Sequence, residues 1–198
     1  GIGLSWPVFS PPGTHYFIWR ANELTGPTGL ESYLIMSRLL GDSLADPDTI
    51  ALVSANATEY SAAVSPARRW ASVHDRRRLR LFYSDTARTW REIPVNGDGS
   101  FGQTMAALDE TTATIVWADP AVGLVQGFLR RSFWTESRLL FEGYLDRPRF
   151  RSRPRGGLWM AWGTGRNANA IAVFHGEKWS AAESLRCAYR TTDPYYSY

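Results

Sequence analysis

The sequence predicts an all-β fold: a small β-propeller of about four four-stranded blades, or part of a larger ring completed by further chain or by oligomerisation. Three observations carry this. Short runs of alternating polar and apolar residues recur with turn residues between them. Within each recurrence the turn chemistry keeps one order, and tryptophans return at matching places. The recurrence length is roughly 45–50 residues, the spacing of four-stranded blades. Evenly spaced short strands also suit a β-sandwich, but a sandwich does not require the repeated order of turn and tryptophan. The chain is read as one domain with approximate repeats 1–55, 56–99, 100–143 and 144–198.

In the first repeat Pro7, Pro11 and Pro12 break the opening segment, and His15 to Trp19 reads as a strand rich in aromatic and β-branched residues. After the Asn22 to Gly29 loop, Glu31 to Ser37 reads as a strand, although Leu30 to Leu40 can also be drawn as a helix. Thr49 to Val53 is the next strand. The second repeat holds Tyr60 to Val64, a turn at Ser65-Pro66-Ala67-Arg68, Trp70 to Val73, and Leu79 to Ser84 with clear period-two alternation. The third runs from Phe101 through Gln103 to Leu108, Ala113 to Trp117, Leu124 to Leu129 and Arg138 to Phe141. The fourth holds Arg149 to Arg153, Leu158 to Trp162, Ala170 to Phe174, a tight turn at His175 to Lys178, and Trp179; Ser180 to Arg186 is a second place where a helix can be drawn.

Laid side by side, Ser10-Pro11, Ser65-Pro66 and Arg153-Pro154 fall at equivalent turns. Trp19, Trp117 and Trp162 end equivalent second strands, and Trp90, Trp134 and Trp179 follow equivalent third strands. The first repeat lacks that last tryptophan. The final residues, Asp193 to Tyr198, alternate in a way that suits pairing with the N-terminal segment to close a ring, which would remove bare strand edges.

Composition bounds the chemistry. Nearly half the residues are apolar, so there is ample material for a core. The net charge of +3 is mild but almost wholly arginine, since Lys178 is the single lysine. Guanidinium groups grip carboxylates and phosphates bidentately, which ammonium groups do not. Cys187 is alone, so an internal disulfide and a thiolate metal cluster are both excluded. No apolar run is long enough for a membrane-spanning helix, and no signal peptide is visible. His15, His74 and His175 are too scattered to read as a metal site, and no phosphate loop, nucleophile elbow or paired-histidine zinc signature is present. No cofactor is implied.

Tyr83-Ser84-Asp85-Thr86-Ala87-Arg88-Thr89-Trp90 resembles the Asp-box, or BNR repeat, of sialidase-like propellers, whose pattern is Ser-x-Asp-x-Gly-x-Thr-Trp. Asp85, Thr89 and Trp90 match; Tyr83 stands where the family has Ser, and Ala87 where it has Gly. The resemblance implies that this loop is a structural turn between third and fourth strands, with Asp85 accepting backbone N–H groups rather than acting in catalysis.

The sharpest local cluster is Arg147-Pro148-Arg149-Phe150-Arg151-Ser152-Arg153-Pro154-Arg155. In an extended strand its arginines lie on one face. They call for negative neighbours such as Asp146 and Glu142, for solvent at a guarded edge strand, or for an external anion such as a carboxylate-bearing or sulfated glycan. Arg149, Arg151 and Arg153 are therefore candidate ligand residues. Trp159 and Trp162 join them as candidate sugar-stacking platforms, since a pyranose packs its apolar face on an indole; alternation puts these two on opposite faces. Arg76-Arg77-Arg78-Arg80 is a second basic cluster, most simply a solvated face. Nucleic acid is an unexpected partner, because the clusters would have to merge into one groove.

These features point to a carbohydrate-recognition module without catalysis, binding a glycan that is anionic if the arginine strand holds it. The alternatives are a sialidase-like hydrolase and a structural component of a virion or extracellular assembly. For the hydrolase, Arg20, Arg151, Glu142, Asp75 and Tyr144 are the nominees, although no local motif selects them. The expected location is extracellular or virion-associated, with a homo-oligomer or larger assembly as partner.

Overall fold

The computed structural model describes residues 6–8, 14–24, 30–45, 47–76, 78–85, 89–95, 101–135, 138–142, 146–152, 157–164, 169–175 and 178–185. They form four antiparallel sheets in chain order. The first holds β1 (Trp6–Pro7), β2 (His15–Leu24), β3 (Leu30–Leu40), β4 (Ser43–Leu44) and β5 (Asp48–Val53). The second holds β6 (Thr58–Val64), β7 (Arg69–Asp75), β8 (Arg78–Ser84) and β9 (Trp90–Ile93). The third holds β10 (Phe101–Ala107), β11 (Thr112–Asp119), β12 (Gly123–Arg130), β13 (Phe133–Trp134) and β14 (Arg138–Glu142). The fourth holds β15 (Asp146–Ser152), β16 (Leu158–Gly163), β17 (Asn169–His175), β18 (Lys178–Trp179) and β19 (Glu183–Leu185). Each sheet is a meander, so each is a four-stranded blade whose outer strand is interrupted in three of the four. Four such blades make a partial β-propeller.

Both helix alternatives fail. Leu30–Leu40 is a single strand paired with β2 from Leu30 to Leu39, because its alternation buries Ser32, Leu34 and Met36 on one face. Within Ser180 to Arg186 the described residues include the strand β19 rather than a helix. A two-sheet sandwich is also excluded, since the sheets stack one after another. The Ser10-Pro11 and Arg153-Pro154 turns and the chain's last residues lie outside the described set.

Three apolar clusters fill the three boundaries between successive sheets. Ile18, Leu34, Met36 and Ile50 meet Val64, Ala71, Val73 and Phe82. Trp70, Leu79 and Leu81 meet Met105, Ile115, Trp117 and Leu129. Val116 and Leu124 meet Phe150, Met160, Trp162 and Phe174. The second and third blades therefore bury both faces by serving two cores, the first and fourth blades serve one each, and each fully buried Leu, Ile or Met contributes about 1.5–3 kcal/mol.

The first strands of neighbouring blades are latched by one repeated device. Ser61 Oγ accepts the Met105 N–H at 3.0 Å, and Thr104 Oγ1 accepts the Phe150 N–H at 3.3 Å. The turns are tied as well: Ser65 Oγ donates to the Glu110 carbonyl at 3.0 Å, and Asp109 caps that turn by accepting the Thr111 and Thr112 amides, each at 2.7 Å.

Candidate functional site

Register shows which residues share a place in each blade. Leu39 pairs with Leu44, Ser84 with Trp90, Leu129 with Trp134 and Phe174 with Trp179. The indole after the third strand therefore lies against the preceding blade, and Leu44 stands in its place in the first. One step further out, Met36 pairs with Asp48, Leu81 with Ile93, Gln126 with Arg138 and Ile171 with Glu183. Asp48, Ile93, Arg138 and Glu183 thus share one position, and three of these four outer-strand residues are charged.

The boundary between the third and fourth blades gathers the most chemistry. Gln126 is fully buried, and its Oε1 accepts from Arg138 Nε at 3.2 Å, Arg138 Nη2 at 3.1 Å and Trp179 Nε1 at 3.1 Å. Its Nε2 donates to Thr114 Oγ1 at 2.7 Å, and that hydroxyl donates to the Gly127 carbonyl at 3.2 Å. A buried amide must pair both ends, and this chain does so across two blades. Arg138 lies 5.5 Å from the Phe128 ring centroid. Trp179 stacks on Phe150 at 5.9 Å with 3° between planes, and tilts against Phe174 at 5.0 Å. Exposure grades outward from buried Gln126, through half-buried Phe128 and Trp179, to exposed Arg138. The result is a blade boundary that brings a fixed guanidinium, a fixed indole and aromatic rings together at its rim, a pairing of polar and apolar groups that suits a ligand with one hydroxylated and one apolar edge.

The boundary between the first and second blades has a related but self-neutralised set. Arg69 forms an ion pair with Asp48, donates to Ser84 Oγ at 3.4 Å, and lies 5.4 Å from the Trp90 ring centroid. Nearby, Asp75 accepts the Ser54 amide on both oxygens at 3.3 Å and Arg80 Nη1 at 3.2 Å, while Arg80 grips Glu92 at 2.9 and 2.8 Å and donates to the Leu52 carbonyl at 2.9 Å. Burial pushes the Asp75 carboxyl up, but the Ser54 and Arg80 hydrogen bonds outweigh it and hold its pKa below 3.8. The boundary between the second and third blades is apolar at the matching places, with Leu81, Ile93 and Trp134, and Trp134 tilts against Trp117 at 5.7 Å.

The residues singled out from sequence divide. Arg149 pairs with Ala161 and Arg151 with Trp159, so these residues share one face of the fourth blade. Arg149 and Arg151 belong to that blade's first strand, beside β10, not to an outer edge. Arg149 Nη1 donates to the Pro148 carbonyl at 3.0 Å, and Trp159 is 38 % exposed. Arg153 lies outside the described residues. Trp162 is a correction: it is 3 % exposed and stacked on Phe141 at 4.5 Å, so it is core, because alternation turns it toward the third blade. Asp85 and Thr89 flank residues outside the description; Ser84 Oγ donates to the Asp85 carbonyl at 3.0 Å, and Trp90 opens β9. The hydrolase nominees fall on different blades: Arg20 donates to the Ala55 and Ala57 carbonyls, Asp75 is held by Ser54 and Arg80, Glu142 is on β14, and Arg151 on β15; Tyr144 lies outside the described residues.

Sequence reasoning missed Gln126 and Arg138. The signal that finds them is the even spacing of Asp48, Ile93, Arg138 and Glu183 along the chain.

The architecture defines the class: a partial β-propeller. AofleA of Arthrobotrys oligospora is similar with a TM-score of 0.56 and 10% identity, over 92% of this chain and 72% of that one. A triple arginine-to-alanine mutant of the same protein gives a TM-score of 0.58 at 10% identity, over 92% and 57%. The fucose-specific lectin of Aleuria aurantia gives 0.55 at 13% identity, over 93% and 61%, and a structure of that lectin is described as a six-bladed β-propeller. The chain thus spans about three fifths of the length of the triple mutant and of the Aleuria aurantia lectin. No protein-family model and no curated protein matches it.

Proposed function

We propose that this chain is a carbohydrate-recognition module without catalysis, and that its ligand enters the cleft between the third and fourth blades. The observation that carries this is the convergence of Arg138 and Trp179 on buried Gln126. The guanidinium supplies fixed donors to sugar hydroxyls, and Phe128 and Trp179 offer apolar surface to C–H edges. Neighbours of the same fold include a fucose-specific lectin, and a 6-deoxyhexose has the matching pair of edges: hydroxyls on one side, a methyl on the other. The ligand class is accordingly a fucosylated glycan rather than the anionic glycan that the arginine strand suggests. Asp85, Thr89 and Trp90 take a structural part in the turn before β9, and an extracellular or virion-associated location accompanies the reading. Among the described residues no helix is long and apolar enough to cross a membrane.

Isothermal titration with L-fucose and a glycan array test it. The unaltered chain binds fucosylated glycans. Arg138→Ala weakens binding at least tenfold, because one charge-assisted hydrogen bond is worth roughly 1.5–3 kcal/mol. Arg149→Ala with Arg151→Ala leaves it within twofold. The opposite pattern moves the site to the fourth blade's first strand, and no binding to any glycan removes the reading.

A further inference from the structure

Each boundary inside this chain is made by two unlike faces, one looking back along the chain and one looking forward. On the forward face of the second blade, Trp70 pairs with Tyr83 and Ala63 and is fully buried in the same cluster as Trp117 of the third blade. Trp159 has the same place in the fourth blade, pairing with Val173 and Arg151, and it is 38 % exposed. Cross-strand pairing puts Ala161, Ile171 and Val173 on that face too. The backward face of the first blade is its counterpart. Trp19 holds there the place that Trp117 and Trp162 hold in later blades and is itself 9 % exposed, with half-buried Ile35 and Tyr33 beside it; Leu52, 54 % exposed, is the open part of that face.

We infer that the forward face of the fourth blade docks the backward face of the first blade of a second copy, head to tail. Trp159 then packs over Leu52 at the rim of the Trp19 face, in the way that Trp70 shares one core with Trp117. A second copy is the occupant because it supplies, position for position, the kind of face this chain already buries three times. The contact joins unlike faces, so each copy carries one of each, and it builds a further cleft with Glu183 at the place of Asp48 and Arg138. Contacts of this kind close into a ring or extend as a filament. The inference stands apart from the glycan reading.

Sedimentation velocity over a concentration series tests it. The unaltered chain gains mass as concentration rises. Trp159→Glu and Leu52→Glu, each spoiling one face, sediment as single chains. Mixed in equal amounts they form a dimer and nothing larger, since the pair retains one intact face of each kind. An unaltered chain that stays single at every concentration overturns the proposal, as does unimpaired assembly of Trp159→Glu. A mixture that never dimerises overturns the head-to-tail arrangement. Should either variant fail to fold by circular dichroism, the concentration series of the unaltered chain decides alone.

Discussion

The Trp179 indole N–H crosses from the fourth blade to Gln126 Oε1 in the third, at 3.1 Å. The same oxygen takes two bonds from Arg138, so one buried amide fixes both the indole and the guanidinium. Removing that acceptor strands an indole donor against the core. Gln126→Ala is expected to cost about 1–3 kcal/mol in chemical denaturation. An unchanged unfolding midpoint would show that these hydrogen bonds do not hold the cleft.

Trp134 lies flat over Gly127. A Cβ at that glycine would stand 2.1 Å from the indole Cη2, in a rigid ring already packed on Trp117. Gly127→Ala therefore displaces the indole, with an expected cost of about 1–3 kcal/mol from overpacking. A lower melting temperature together with a shifted tryptophan emission is the expected result.

Thr104 Oγ1 accepts the buried Phe150 N–H, joining the first strands of the third and fourth blades. Thr104→Val keeps the shape and deletes the acceptor, removing one hydrogen bond between the blades at a cost of about 0.5–1.5 kcal/mol. Thr104→Ser keeps the bond and is expected to stay near the parent. Equal losses in both variants would assign the effect to packing instead.

Asp75 sets an acid limit. Its carboxyl is held below the ordinary aspartate range in the folded chain, so its stabilising effect is fully present above the value of the unfolded chain. It is lost as pH falls through the folded pKa, because protonation deprives the Ser54 amide and Arg80 of their anion. Asp75→Asn is expected to lower stability at neutral pH and to flatten the decline between pH 4 and more acid conditions, roughly the window set by the shift. Parallel acid-unfolding curves for parent and variant would rule this out.

Much of the architecture was legible because it is local. Alternation in Leu79 to Ser84 and in Leu158 to Trp162 needs only the two-residue period of a strand, and Asp109 or Ser65 announce turns through their own side chains. Leu30–Leu40 was ambiguous for the same reason: a local pattern that suits two periods is decided by the strands beside it, here β2 and β5.

The cleft was not legible, because its members meet only through register and stacking. Gln126 sits in an otherwise apolar run, and its partners are Thr114, Arg138 and Trp179, the last from another blade. Sequence could place Trp159 and Trp162 on opposite faces; which face meets another blade and which stays open was decided by the order in which the sheets stack. So the residues themselves determined the strands, the turns and the repeat, through short-range sterics and hydrogen bonding. Tertiary structure alone decided which indole is core, which arginine is anchored and which side chains gather at each blade boundary, since those depend on contacts between segments that only folding brings together.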